Sequence, residues 1–126
     1  MFEIVVDAGR TIDFTVSLYE DDGSTAVNFA TGDVVRFKLS RNHGTPILDV
    51  DSVAALSGGS LITATNGSNE VTVRLGQDDT SDLYGVYSGE VTLVDDSETG
   101  PTDAIKAFEK GVVAVRPSAG GDVGKT

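Results

Sequence analysis

The sequence contains no cysteine, no tryptophan and a single histidine. Without thiols there can be no disulfide, no thiolate zinc site and no cysteine nucleophile. The one imidazole, His43, sits in the polar turn Asn42-His43-Gly44, with no second nitrogen ligand to complete a transition-metal site. No motif sets a nucleophile beside it for acid–base work, so it reads as an exposed turn histidine. Basic residues are also scarce. Nine Lys and Arg stand against twenty Asp and Glu, for a formal charge of −11. That balance repels nucleic acid, whose phosphates are bound by counterion release onto basic side chains, and it equally disfavours an anionic membrane surface. It favours solubility and, more sharply, a basic partner. No apolar run approaches the length of a membrane span. Met1 to Val6 lacks the basic and long apolar segments of a signal peptide. The chain is expected to be made in the cytoplasm and to stay soluble.

Clean helical periodicity is missing too, and alternation takes its place. Ile12, Phe14, Val16 and Leu18 alternate with Asp13, Thr15, Ser17 and Tyr19. Val35, Phe37 and Leu39 alternate with Val34, Arg36, Lys38 and Ser40, and Val71, Val73 and Leu75 with Thr72 and Arg74. Gly85 to Val94 reads as the longest strand, with Tyr87, Gly89, Val91 and Leu93 on one face. Shorter strands are expected at Val27–Phe29, Ile47–Val50 and Leu61–Thr65, and a last strand or pair of strands over Ala104–Phe108 and Val112–Val115. Turn chemistry separates them: Glu20-Asp21-Asp22-Gly23, Thr31-Gly32-Asp33, Asn66-Gly67 and the acidic stretch Asp95 to Thr102. Asp79 to Leu83 suits one helical turn, with Asp79 or Thr80 as its N-cap.

Eight to ten short strands without crossover helices predict an all-β fold, an antiparallel Greek-key β-sandwich or a jelly-roll-like barrel. A length of 126 residues fits one domain. It is expected over 1–117, with 118–126 as a Gly-rich C-terminal arm that alone would be flexible.

Other clusters carry little chemistry. The acidic groups at Glu20-Asp21-Asp22, Asp49-Val50-Asp51, Asp78-Asp79 and Asp95-Asp96-Ser97-Glu98 lack the spacing of a calcium loop, and read as charged turns or protected strand edges. Spacing does not exclude a carboxylate pair for glycoside hydrolysis, but the lack of Trp weighs against a glycan platform. Ala119 to Thr126 nearly spells a phosphate-binding loop, yet no following helix to hold phosphates is expected, and the match is read as coincidence. Asn66-Gly67-Ser68 has the form of a glycosylation acceptor and is read as a turn. No catalytic residue, metal or cofactor is expected.

Leu83-Tyr84-Gly85-Val86-Tyr87 follows the helical turn and opens the longest strand. At such a corner of a Greek-key sandwich, a tyrosine buries its ring and returns its hydroxyl to the backbone upstream. Leu83, Gly85 and Tyr87 are the candidate corner, with Gly85 supplying the sharp entry and Tyr87 falling on the inward face. The other reading of Tyr87 is a binding aromatic.

The order of signals resembles a known group. An opening strand and Gly9 lead to Thr11-Ile12-Asp13-Phe14-Thr15-Val16, Asp22-Gly23, Val27-Asn28-Phe29 and Gly32-Asp33-Val34-Val35-Arg36-Phe37. Val71-Thr72-Val73-Arg74-Leu75, Asp79-Thr80, Leu83, Gly85-Val86-Tyr87, Glu90-Val91 and Gly111-Val112-Val113-Ala114-Val115 follow. This resembles short phage and prophage structural proteins, and the N-terminal β-sandwich of the phage baseplate upper protein family, over roughly residues 3 to 116. The resemblance implies a non-enzymatic virion component that acts by protein contact, either as capsid decoration or cement or in a tail or baseplate. Its partners would be the major capsid protein or tail and baseplate proteins, with a homo-oligomer expected. The contacts are expected at strand edges and at two terminal arms, Phe2, Glu3, Ile4 and Val5 at one end and Pro117, Asp122, Val123 and Lys125 at the other. The alternatives are a carbohydrate- or calcium-binding adhesion module, or a polysaccharide-degrading enzyme.

Overall fold

A computed structural model describes residues 1–41, 45–95 and 104–117. Among these are eight strands and one helical turn: β1 (Phe2–Asp7), β2 (Ile12–Ser17), β3 (Asp33–Ser40), β4 (Leu48–Asp51), β5 (Leu61–Ala64), β6 (Glu70–Leu75), α1 (Gln77–Thr80), β7 (Gly85–Asp95) and β8 (Ala104–Arg116). They form two sheets, β1-β8-β7-β3-β4 and β2-β6-β5. The all-β expectation holds in its sandwich form. Strands β2, β6, β5 and β3, β7, β8 hold the relative positions of strands B, E, D and C, F, G of an immunoglobulin-type sandwich, an architecture that hosts many functions.

Alternation explains which face of each strand is buried. Phe14 and Val16 of β2, Val71, Val73 and Leu75 of β6, Val35, Phe37 and Leu39 of β3, and Tyr87, Val91 and Leu93 of β7 all enter one core between the sheets. Three phenylalanines gather at one end of it. Phe14 meets Phe2 at 5.6 Å in a stacked pair and Phe37 at 5.7 Å edge-on. Such ring contacts add about 0.5–1.5 kcal/mol each beyond area burial.

Several local expectations change. The first is the N-terminal arm. Phe2, Glu3, Ile4 and Val5 do not form a free arm: they lie in β1, which pairs in parallel with β8 from Phe2↔Gly111 to Asp7↔Arg116. The cause is a slot made by the cross-strand pair Gly89↔Gly111. A Cβ on Gly111 would stand 2.4 Å from the Phe2 ring, and one on Gly89 would stand 3.0 Å from it. With no side chains there, the Phe2 ring lies against bare backbone and reaches Phe14.

The helical turn begins earlier than expected. Gly76, not Asp79 or Thr80, is its N-cap, and Thr80 closes it. The Thr80 hydroxyl is fully buried, donating to Arg10 O at 2.8 Å and accepting from Gly9 N at 3.1 Å. Ser60, also fully buried, accepts from Gly76 N at 2.9 Å and donates to Asp79 Oδ2 at 2.5 Å. Asp79 and Thr80 therefore tie the crossover between the sheets to the β1–β2 and β4–β5 connections, and do not cap a helix.

Val27 and Phe29 form no strand. Their amides bond to Leu18 O and Ser68 O, on two different segments, and only an isolated Tyr19↔Ala26 bridge precedes them. The Asn66-Gly67 turn has Gly67 at φ 87°, within a loop longer than two residues between β5 and β6. The C-terminal segment is one 13-residue strand, longer than the 11-residue β7. A register shift beside Leu93 and Val94 lets the two strands stay paired. The turn around His43 and the acidic stretch 96–103 lie outside the described residues.

Candidate contact surfaces

The corner forms where the chain crosses from β6 in one sheet to β7 in the other. Leu83 packs against the core, and its amide donates to Thr80 O at 3.1 Å. Gly85 has φ 91°, a conformation that a residue with a Cβ adopts only at a cost. Tyr87 is 3% exposed, and its hydroxyl accepts from Tyr84 N at 3.0 Å. The sequence reading missed Arg41, just past β3. Its Nη2 donates to the Tyr87 hydroxyl at 2.7 Å and also to Tyr84 O. Its guanidinium lies 4.5 Å from the Tyr87 ring centroid and 5.0 Å from that of Tyr84. The hydrogen bond to Tyr87 leads the causes that raise the Arg41 pKa above its ordinary value. One arginine thus clips β3 to the start of β7. Tyr87 is spent on structure, whereas Tyr84 is 68% exposed.

In two of the acidic turns a carboxylate is taken up by its own backbone. Asp22 accepts from the amides of Ser24 and Thr25, both at 2.8 Å, and from the Thr25 hydroxyl at 2.5 Å. Those bonds lower its pKa to about 2, the Thr25 hydroxyl first among them. Asp51 accepts from the amides of Val53 and Ala54. Asp13 is held below its ordinary pKa chiefly by its hydrogen bond with Arg74, directly opposite it on β6, in a two-pronged contact at 2.7 and 3.0 Å. Asp33 is 7% exposed, and its carboxylate takes Lys106 Nζ at 2.9 Å and Ala30 N at 2.9 Å. Among the described residues, no group of three or more His, Cys, Asp or Glu is placed to hold a metal ion. No helix among them is long and apolar enough to cross a membrane.

The outer face of the five-stranded sheet is the broader of the two outer sheet faces by strand number. By alternation it carries Glu3, Val5 and Asp7 of β1, Val86 and Glu90 of β7, Arg36 and Lys38 of β3, Asp49 and Asp51 of β4, and Phe108, Lys110, Val112, Ala114 and Arg116 of β8. Its charges nearly balance: four cations (Arg36, Lys38, Lys110, Arg116) meet five carboxylates (Glu3, Asp7, Asp49, Asp51, Glu90) in a chain of net charge −11. Three large apolar side chains on it are open to solvent: Val86 at 65%, Val5 at 53% and Phe108 at 48%. One row across this face is a ladder of alternating sign. Lys110 lies opposite Glu90, Glu90 opposite Lys38, and Lys38 opposite Asp49. An open depression beside the ladder is lined by Lys38, Glu90, Lys110, Ser88 and Val112.

β1 and β4 form the edges of the larger sheet, and β2 and β5 those of the smaller. The candidate contact residues Phe2, Glu3, Ile4 and Val5 are thus on an edge strand. Phe2 and Ile4 pack against the core, while Glu3 and Val5 are exposed. Pro117 is exposed at the end of β8. Asp122, Val123, Lys125 and the phosphate-loop-like stretch lie outside the described residues. In sequence, the chain matches no protein-family model and no curated protein.

Proposed function

We propose that this protein is a non-enzymatic structural component of a phage particle, joining or decorating virion proteins through surface contact. The observation that carries the reading is the outer face of the five-stranded sheet. It is a nearly charge-balanced surface with Val5, Val86 and Phe108 exposed, on a molecule that is otherwise strongly acidic. Val5 and Val86 lie in one row across this face, either side of Ala114, and Phe108 lies further along β8, so apolar area is spread over it. The free edge of β1 beside that face offers unpaired backbone groups to a neighbouring strand. The order of sequence signals supplies the particle: it resembles that of phage structural β-sandwiches. Contact over a standard interface needs no cofactor and no reactive side chain.

The test is location. Particles of the phage or prophage that the reading implies are purified, and the protein is sought among their components and in the cryo-electron microscopy map. Density for the sandwich on a capsid, tail or baseplate is expected. A protein absent from the particle, and without affinity for it when added, overturns the reading.

A further inference from the structure

The charge ladder has a property that concerns a second copy of this chain. In order across the sheet it reads Lys110, Glu90, Lys38, Asp49, with signs plus, minus, plus, minus. Reversed, it reads minus, plus, minus, plus. A second copy turned by a twofold axis parallel to the strands, over the gap between β7 and β3, presents the reversed ladder to the first. Lys110 then meets the other copy's Asp49, and Glu90 meets its Lys38, each pair occurring twice. A twofold axis running across the strands would instead set Lys110 against Lys110 and Glu90 against Glu90. The ladder therefore selects one orientation of self-association and opposes the other.

Three observations support a second copy as the occupant. The side chains of Lys38, Glu90 and Asp49 make no hydrogen bond or ion pair among the described residues, although they stand opposite one another on adjacent strands. The Lys110 ammonium lies 5.8 Å from the Phe108 ring centroid and makes no ion pair among the described residues. The ladder thus holds two charges of each sign that the chain does not use internally. Secondly, the chain is strongly acidic, so two copies repel at most approaches, and a nearly balanced face lowers that repulsion. Thirdly, the size suits a weak contact. The axis sets β8 over β4 and β7 over β3, and with strands about 4.8 Å apart the four residues of β4 and eight of β3 limit the overlap to roughly 400 Å² on each copy, within the range of transient association.

We infer that the outer face of the five-stranded sheet is a self-association surface, on which two copies pack face to face about an axis parallel to the strands, registered by Lys38–Glu90 and Lys110–Asp49 pairs between copies. The ion pairs set register and orientation, and Phe108 and Val112, which flank Lys110 on the same face of β8, supply burial. This inference rests on the charge pattern and is independent of the virion reading.

Complementary charge reversal tests it. Lys38→Glu and Glu90→Lys are made as separate proteins, and association is followed by analytical ultracentrifugation up to millimolar concentration. The unaltered chain is expected to dimerise, less so as salt is added. Each variant alone is expected to associate at least about tenfold more weakly, because like charges now oppose each other across the axis. Mixed in equal amounts, the two variants are expected to form a heterodimer. The carboxylate introduced at position 38 of one then meets the ammonium introduced at position 90 of the other, and the retained Glu90 meets the retained Lys38. Within each monomer the two positions keep like charges in the mixture, so recovery reports only contact between copies. Lys110→Glu with Asp49→Lys provides the same test at the ends of the ladder, and circular dichroism spectra matching the unaltered chain certify the folds. A chain monomeric at every concentration overturns the inference. So does a dimer indifferent to the reversals, which would leave a structural role in a particle standing, and so does a mixture that fails to associate.

Discussion

At the scale of single residues, the corner and the turns are each held by one or two well-placed polar atoms. Tyr87 is the clearest case. Its buried hydroxyl accepts from the Tyr84 amide and from Arg41, so Tyr87→Phe strips a partner from both donors. A loss of about 1–2 kcal/mol is expected, the usual cost of a partly buried hydrogen bond, measured by urea unfolding. A midpoint equal to that of the parent chain would remove Tyr87 from the account of the corner. Asp22 gives a pH signature. Its folded-state pKa of about 2 lies below the carboxylate value of about 3.9 in an open chain. Its contribution is therefore complete above about pH 4 and is lost as pH falls through about 2. The Ser24 and Thr25 amide resonances are expected to titrate across that window, and Asp22→Asn should abolish the titration. Both roles were partly legible. Alternation with Val91 and Leu93 turns Tyr87 inward, and Asp22-Gly23 announces a turn. Arg41 was not legible, because its partners lie on a strand far along the chain and nothing local marks it.

At the scale of elements, β1 is the informative strand. It is held by parallel pairing to β8 and by the Phe2 ring in the slot over Gly89 and Gly111. Gly111→Ala places a methyl group where that ring lies, and is expected to cost about 1–3 kcal/mol, as overpacking does. Phe2→Ala empties the slot, and about 2–3 kcal/mol is expected, somewhat below the loss for a fully buried phenylalanine. The double variant should cost clearly less than the sum, because the small residue makes room for the new methyl group. Additive losses in equilibrium unfolding would mean that the two sites do not share the slot. An opening strand is legible in the sequence, yet its partner, which comes from the far end of the chain, is not, and Phe2 to Val5 read as a contact arm. The helical turn shows the same limit. A turn before β7 is legible, but its first residue is set by Gly76 receiving the Ser60 hydroxyl and by Thr80 reaching back to Arg10.

At the scale of the whole molecule, net charge and topology act together. Twenty acidic against nine basic side chains repel one another more in the compact state than in the open chain. Raising monovalent salt from about 10 mM to 150 mM shortens the screening length from about 30 Å to 8 Å. The melting temperature of dilute protein should rise over that range, as calorimetry would show, and a fall would mean that ion pairs such as Asp13–Arg74 outweigh the general repulsion. What the sequence determined by itself is what depends on near neighbours along the chain: the two-residue period of the strands, hence an all-β fold and its inward faces, the acidic surface and the absence of thiol chemistry. What only the tertiary structure decided is what depends on which strand lies beside which: the parallel β1–β8 pair, the glycine slot, the Arg41 clip and the ladder from Lys110 to Asp49. The reason is physical. The side chains of a strand alternate by covalent geometry alone, whereas pairing and register are fixed by burying all eight strands at once, so a one-residue slip anywhere would turn a core face outward.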